Sequence, residues 1–267
     1  MPVVANPNFL GKIALFRGLT QVELSGMWGL LHRRTLPAGT TFITAEQPGE
    51  AVYVIAEGAV KVFIDDPNGN EVILAILTTG EIVGEMSLLD RASRSANVVT
   101  LEETVVYWMD RANFGELLRT IPTIHFNLSL LLCDRLRVAN ARIQSLALQD
   151  VEGRVARQLL AFAEIYGKEC ADGNILIPFR LTQSDLASLI GATRVRVNQV
   201  IAAYKQRHYI SVDQHYRITL HNREALGRRC KSLTGSLGEQ SGRLQPGAST
   251  FIPNEACSRF NSQSVAN

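Results

Sequence analysis

The segment Ile82-Val-Gly-Glu-Met-Ser-Leu-Leu-Asp-Arg-Ala-Ser-Arg-Ser-Ala96 gathers groups suited to holding an anion and a hydroxyl together. Gly84 permits close backbone approach, and Glu85-Met86-Ser87-Leu-Leu can open a short helix whose N–H groups face outward. Arg94 follows ten residues after Gly84, read as the start of a strand, with Ser95 and Ala96 directly behind it. A helix N-terminus, a guanidinium and a hydroxyl make a phosphate site. A carboxylate at Glu85 beside a phosphate needs a task of its own, and accepting hydrogen bonds from a sugar hydroxyl is such a task. Together these groups describe a ribose joined to a cyclic phosphate. The plainer alternative is a mutual surface ion pair between Arg94 and Glu85.

A second set of candidates lies far downstream. Residues 190–230 carry 8 basic and 2 acidic residues, whereas residues 1–110 carry 7 basic and 13 acidic ones. An acidic first half with a late basic patch suggests that only the second part meets a polyanion, although a solvated basic helix face explains the charge equally well.

The elements that must position these groups follow from period and punctuation. Between Leu36 and Met109, glycines at 39, 49, 58, 69 and 80 separate short apolar runs at 52–56, 60–64 and 72–77. Asp65-Asp-Pro-Asn-Gly-Asn70 reads as the turn of a hairpin, and the whole as a jelly roll. The period then changes. Ser129, Leu132, Leu136, Ala139, Ile143 and Leu146 are spaced 3, 4, 3, 4 and 3 apart, a narrow seam with Arg135, Arg137 and Arg142 off it. Such a seam is favoured to face a second copy of the same helix, the alternative being packing on its own domain. After Asp150, a helix reaches Gly167 and Ile175 opens a strand. Thr182-Gln-Ser-Asp185 is a capping box for a helix ending at Gly191, and Thr193 caps the next helix to about Arg207. A hairpin around Asp213-Gln-His215 completes a winged helix-turn-helix.

The predicted fold class is α+β, in four stretches: a jelly roll with an N-terminal helical segment (1–110), a dimerisation helix (111–149), a winged helix-turn-helix (150–230) and a disordered tail (231–267). The 46% hydrophobic and 19% charged composition excludes a disordered or collagen-like chain. The longest plain apolar run, residues 72–77, is far shorter than a membrane span, and no basic flank precedes an apolar core at the N-terminus. Cys133, Cys170, Cys230 and Cys257 are widely separated, which argues against a disulfide framework or zinc site and suits a reducing cytoplasm. A jelly-roll metalloenzyme needs a histidine cluster in its strands. The region from Leu36 to Met109 has no histidine, so neither an enzyme nor a metal site is expected.

Over roughly residues 15 to 225 the chain resembles the CRP/FNR family of transcription regulators. In that family Gly-Glu-x-x-x-Leu followed by Arg-Ser-Ala is the cyclic-nucleotide cassette. The resemblance implies that Gly84, Glu85, Met86, Ser87, Arg94 and Ser95 line a cyclic AMP site, with Glu85 on the ribose 2′-hydroxyl and Arg94 on the phosphate. The family's adenine-binding Thr-Ser pair corresponds to Ala139 and Asn140. Ala139 has no hydroxyl, and the amide of Asn140 can still read an amino-purine edge. Cyclic di-GMP is therefore a competing effector, for which Asp90, Arg91, Arg94, Arg135 and Arg142 offer contacts. An iron–sulfur branch needs an N-terminal cysteine cluster that this chain lacks.

The resemblance also makes Thr193-Arg-Val-Arg-Val-Asn-Gln-Val-Ile201 the DNA reader. Arg194 keeps the family's guanine contact, Val195 stands where a glutamate reads cytosine, and Gln199 where an arginine stands. Arg196, Lys205, Arg207 and Gln183 are expected on phosphates, with Val197, Val200 and Ile201 in the core. A similar Arg-Val pair occurs in the cyanobacterial nitrogen-control branch. The expectation is a cytoplasmic homodimer in which effector binding re-aims two winged helices on a near-palindromic duplex, with RNA polymerase as a further implied partner. A cyclic-nucleotide sensor acting through protein partners is the alternative.

Overall fold

A computed structural model describes residues 7–230, so the tail expected from Lys231 onward lies outside the described residues. The chain divides into two compact units between Asn140 and Ala141.

The first unit opens with α1 (Pro7–Leu10) and α2 (Gln21–Trp28), the latter started by a capping box between Thr20 and Glu23. Eight strands follow: β1 (His32–Leu36), β2 (Thr41–Ile43), β3 (Ala51–Glu57), β4 (Ala59–Asp65), β5 (Glu71–Thr78), β6 (Ile82–Val83), β7 (Asn97–Thr100) and β8 (Thr104–Asp110), with a single helical turn, α3 (Met86–Leu89), between β6 and β7. They form two antiparallel four-stranded sheets, ordered β1-β8-β3-β6 and β2-β7-β4-β5, as a jelly roll requires. Asp66 fixes the β4–β5 turn by accepting from the N–H groups of Asn68 and Asn70, both at 2.8 Å. Ile43, Ile55, Val60, Leu77, Val83 and Val98 form one core cluster from both sheets.

Two helices follow, α4 (Arg111–Thr120) and α5 (Pro122–Leu148), the latter running past Asn140 into the second unit. The single helix expected over 111–149 is broken at Ile121, because Pro122 drives the preceding residue out of the helical region, to φ −121° and ψ 90°. Ile124 and Leu128 bury against Leu10, Phe16, Met27, Met109 and Phe114, each side chain contributing about 1.5–3 kcal/mol. Leu132 packs on the edge of that cluster, whereas Leu136 (62%) and Ile143 (63%) are exposed. Of the predicted seam, Leu132 packs on its own unit, while Ser129 and the residues beyond Leu132 named above stay open.

Two expectations need correction. β1 begins at His32, four residues before Leu36, so the strand region does contain a histidine, and its ring packs against Trp108, tilted by 36° at 4.7 Å. Among the described residues no group of three or more His, Cys, Asp or Glu is placed to hold a metal. Arg94 does not start a strand, since β7 begins only at Asn97.

The second unit contains α6 (Val151–Tyr166), β9 (Lys168–Glu169), β10 (Ile175–Ile177), α7 (Gln183–Ile190), α8 (Arg194–Gln206), β11 (Ile210–Val212), β12 (Ile218–Leu220) and α9 (Arg223–Cys230). The sheet runs β11-β12-β10-β9, and β9 and α9 are elements that the sequence reading did not anticipate. α6 supplies Val155, Leu159, Leu160 and Phe162 to the core. The buried phenol of Tyr204 donates to Glu152 O at 2.9 Å, tying α8 to α6, and burial raises its pKa.

Candidate functional site

The predicted anion cassette is assembled, with partners that the sequence did not reveal. Gly84 holds φ +89°, which L side chains rarely adopt, and a Cβ there would lie 3.1 Å from Ala51 O and displace the Arg94 guanidinium. Glu85 follows at the N-cap of α3, its side chain only 1% exposed. One carboxylate oxygen, Oε1, accepts from Arg135 Nη1 of α5, whose Nη2 donates to Ile82 O at 2.5 Å. The other, Oε2, is buried and has no hydrogen-bond partner among the described residues. A buried carboxylate oxygen left open in this way is suited to accept from a hydroxyl donor.

Arg94 is 8% exposed. Its Nη1 donates to Gly84 O at 2.6 Å and Ser87 Oγ at 2.9 Å, and its Nη2 donates to Ala51 O at 2.6 Å. These bonds occupy three of the five guanidinium N–H groups and leave two for an anion. Burial lowers the pKa of Arg94, and the charge of Arg111 pushes the same way; an incoming anion would relieve both. The surface ion pair between Arg94 and Glu85 is not formed, because each has another partner.

Arg111, which the sequence reading passed over, braces the cassette from the start of α4. Its Nε and Nη2 donate to Gly49 O at 2.9 and 2.5 Å, and Nη2 also donates to Ser87 O at 2.9 Å. The signal available was Asp110, an N-cap residue whose side chain accepts from Asn113 N and so fixes where that helix begins.

The remaining effector candidates are placed less closely. Met86 and Ser95 are exposed and Ser87 is buried. Ala139 and Asn140 are exposed on α5, with Ala139 one turn beyond Arg135 on the same helix face. Of the cyclic di-GMP set, Asp90 caps its own turn through Ala92 N, Arg91 is exposed at φ +59°, and Arg135 is bound to Glu85. Arg142 belongs to the second unit, where burial lowers its pKa.

In the second unit, the Thr182–Asp185 capping box starts α7, and Gly191 ends it in the left-handed region at φ +63°. Thr193 accepts from Arg196 N to start α8. That helix buries Val197, Val200, Ile201 and Tyr204, leaving Arg194, Val195 (69%), Arg196, Gln199 and Lys205 exposed. Gln183 Nε2 donates to Asn198 Oδ1 at 3.0 Å, and Arg196 Nη1 donates to Gln199 Oε1 at 3.0 Å. Asn198 lies within the predicted reading segment, which assigns it no role. Arg180 sits over the ring of Tyr216 at 5.1 Å beside the β11–β12 turn.

Comparison with known proteins matches a cyclic nucleotide-binding domain to residues 33–121 and a Crp-like helix-turn-helix domain to residues 153–229. A CRP-like cAMP-activated global transcriptional regulator of Mycobacterium tuberculosis is 30% identical over 224 residues, covering 84% of this chain and 99% of the relative. The Cyclic AMP receptor protein of Thermus thermophilus is 35% identical over 190 residues, covering 71% of this chain and 84% of the relative. The c-di-GMP responsive global regulator CLP of Xanthomonas campestris shares the fold, with a TM-score of 0.65 at 20% identity over 76% of this chain and 99% of its own.

Proposed function

The chain belongs to the CRP/FNR family of transcription regulators, and from that premise we propose that cyclic AMP is the effector that raises its affinity for a near-palindromic DNA duplex. It is a cyclic-nucleotide-responsive DNA-binding regulator and not an enzyme. The observation that carries the finer reading is the buried Oε2 of Glu85, an unpartnered acceptor in the same cassette as an arginine with two N–H groups open. A ribose 2′-hydroxyl donates to the first, and a cyclic phosphate accepts from the second.

Cyclic AMP is favoured over cyclic di-GMP on two grounds. The charge of Arg135 is already matched by the Glu85 carboxylate, so it offers a second phosphate no unpaired charge. The relatives at 30–35% identity are named for cyclic AMP, whereas the cyclic di-GMP-responsive neighbour shares only the fold. The second reading keeps one argument, since Ala139 offers no hydroxyl to the adenine.

Coupling needs only that the effector bind the DNA-competent state better than the other. The exposed Leu136, Ala139, Ile143 and Leu146 supply the seam for a homodimer, whose two-fold symmetry calls for two half-sites about one DNA turn apart. Such a regulator works in the cytoplasm with its DNA, where RNA polymerase is the further partner. Val195 packs on a thymine methyl where the family's acidic residue accepts from cytosine, giving a GTA-like half-site with Arg194 on the guanine. Calorimetric titration with cyclic AMP, cyclic GMP and cyclic di-GMP tests the effector. Tightest binding of cyclic AMP is expected, and tight binding of cyclic di-GMP with none of cyclic AMP would overturn the assignment.

A further inference from the structure

The exposed side of α8 carries an arginine whose guanidinium is turned toward a neighbouring amide. At about 100° per residue, Val197, Val200, Ile201 and Tyr204 fix the inner face, and Val195 and Gln199 share the opposite ridge at i, i+4. Arg194 and Arg196 fall on opposite flanks of that ridge. Arg196 Nη1 donates to Gln199 Oε1 at 3.0 Å. We propose that Arg196 is a positioning residue that fixes the amide of Gln199 for reading adenine, and not a clamp on a phosphate.

Donor and acceptor geometry assigns this role, which rests on the reading of α8 as the DNA-reading helix. A glutamine amide has two N–H donors and an oxygen with two lone pairs, and it can exchange their places by rotating half a turn. Adenine accepts at N7 and donates from N6, so only one of the two orientations pairs with it bidentately. With one lone pair held by the Arg196 guanidinium, rotation would set N–H donors against N–H donors. The amide is thereby fixed, with a second lone pair and both Nε2–H groups available. Gln183 does the same for its neighbour, holding Asn198 by Oδ1 and turning that amide's donors away. That one bond leaves four N–H groups on Arg196, so the two roles are told apart by what its substitution changes, the adenine preference or the salt dependence.

Selection from a random duplex pool, followed by salt titration of the selected duplex, separates the two roles in the full chain. The wild type should prefer adenine at one position of each half-site by roughly fivefold or more, as a bidentate pair gives. Arg196→Met should bring that preference close to parity while leaving the slope of log affinity against log salt unchanged. Gln199→Ala should flatten the same position, and the double variant should flatten it no further. A slope reduced by about 0.9 in Arg196→Met, with the adenine preference intact, would identify a phosphate contact and overturn the proposal. An unchanged preference in Gln199→Ala would overturn it as well. If the wild type bound no duplex in a salt-dependent way, the proposed function itself would fail and this inference with it.

Discussion

Replacing Glu85 with glutamine tests the effector site at its most unusual atom. The side chain is 1% exposed, with Oε1 shared with Arg135 and Oε2 unpartnered. An unsatisfied buried polar atom costs about 1–3 kcal/mol, and more when it carries charge. A ribose hydroxyl donating to Oε2 cancels that cost and forms a charge-assisted bond of about 1.5–3 kcal/mol. Glutamine can still accept from Arg135 through its oxygen, but it turns an N–H toward the ribose hydroxyl, which can then only accept from it, so the charge-assisted bond is lost. Cyclic AMP affinity should fall by about 1.5–3 kcal/mol, roughly 10- to 150-fold in Kd. Stability of the ligand-free protein should change far less. Loss of the ion pair is softened because the Arg135 side chain is 34% exposed, and it is offset by removal of an incompletely paired carboxylate. Calorimetry gives the first quantity and denaturant unfolding the second. Wild-type affinity for every cyclic nucleotide in a folded Glu85→Gln protein would refute the reasoning.

Other outcomes follow from the same geometry. Leu136→Glu places a charge on the exposed seam, so sedimentation should show a shift from dimer toward monomer; an unchanged dimer would move the interface elsewhere. Ala139→Thr restores a hydroxyl one helical turn beyond Arg135 and should tighten cyclic AMP binding in calorimetry, whereas no gain alongside tight cyclic di-GMP binding would favour the competitor. Val195→Glu should move the selected half-site from an A·T to a G·C pair at one position, with a cost of about 1–3 kcal/mol for the former site; retention of A·T would remove Val195 from the reader. Asp213 accepts from Arg217 N, from the Arg217 side chain and from His215 N, which hold its carboxyl below the ordinary aspartate value of 3.8. A depressed carboxyl pKa stabilises above the ordinary value and loses that effect as pH falls through the lowered one. The amide resonances of His215 and Arg217 should therefore be constant from neutral pH down to about 4, and a transition centred near pH 5 or above would contradict this.

The order of elements was legible because punctuation and period agreed along the chain. Asp66, Thr182, Gly191 and Thr193 each act locally, and each does in the structure what its residue type suggests. The break at Pro122 was also local, yet the seam that marks the helix begins only at Ser129, and the stretch before it was joined to the same helix. What could not be read were contacts joining residues far apart in sequence. Arg135 reaches Glu85 across fifty residues, and Arg111 braces Gly49 across sixty-two, and neither spacing carries a signal in a single sequence. The same limit explains the seam, in which Leu132 serves the core of its own unit. Period alone registers an apolar stripe and does not say which partner covers each turn of it.

The central claim is that a cyclic nucleotide held at Glu85 and Arg94 controls DNA affinity. Fluorescence anisotropy of a labelled duplex carrying the selected palindrome, titrated with the full-length protein at fixed salt, measures that coupling directly. Saturating cyclic AMP should tighten the wild-type complex by about 5- to 150-fold, the range of ordinary allosteric coupling, and should have little effect on Glu85→Gln at the same nucleotide concentration. Equal wild-type affinity with and without cyclic AMP, or tightening by cyclic di-GMP alone, would contradict the account.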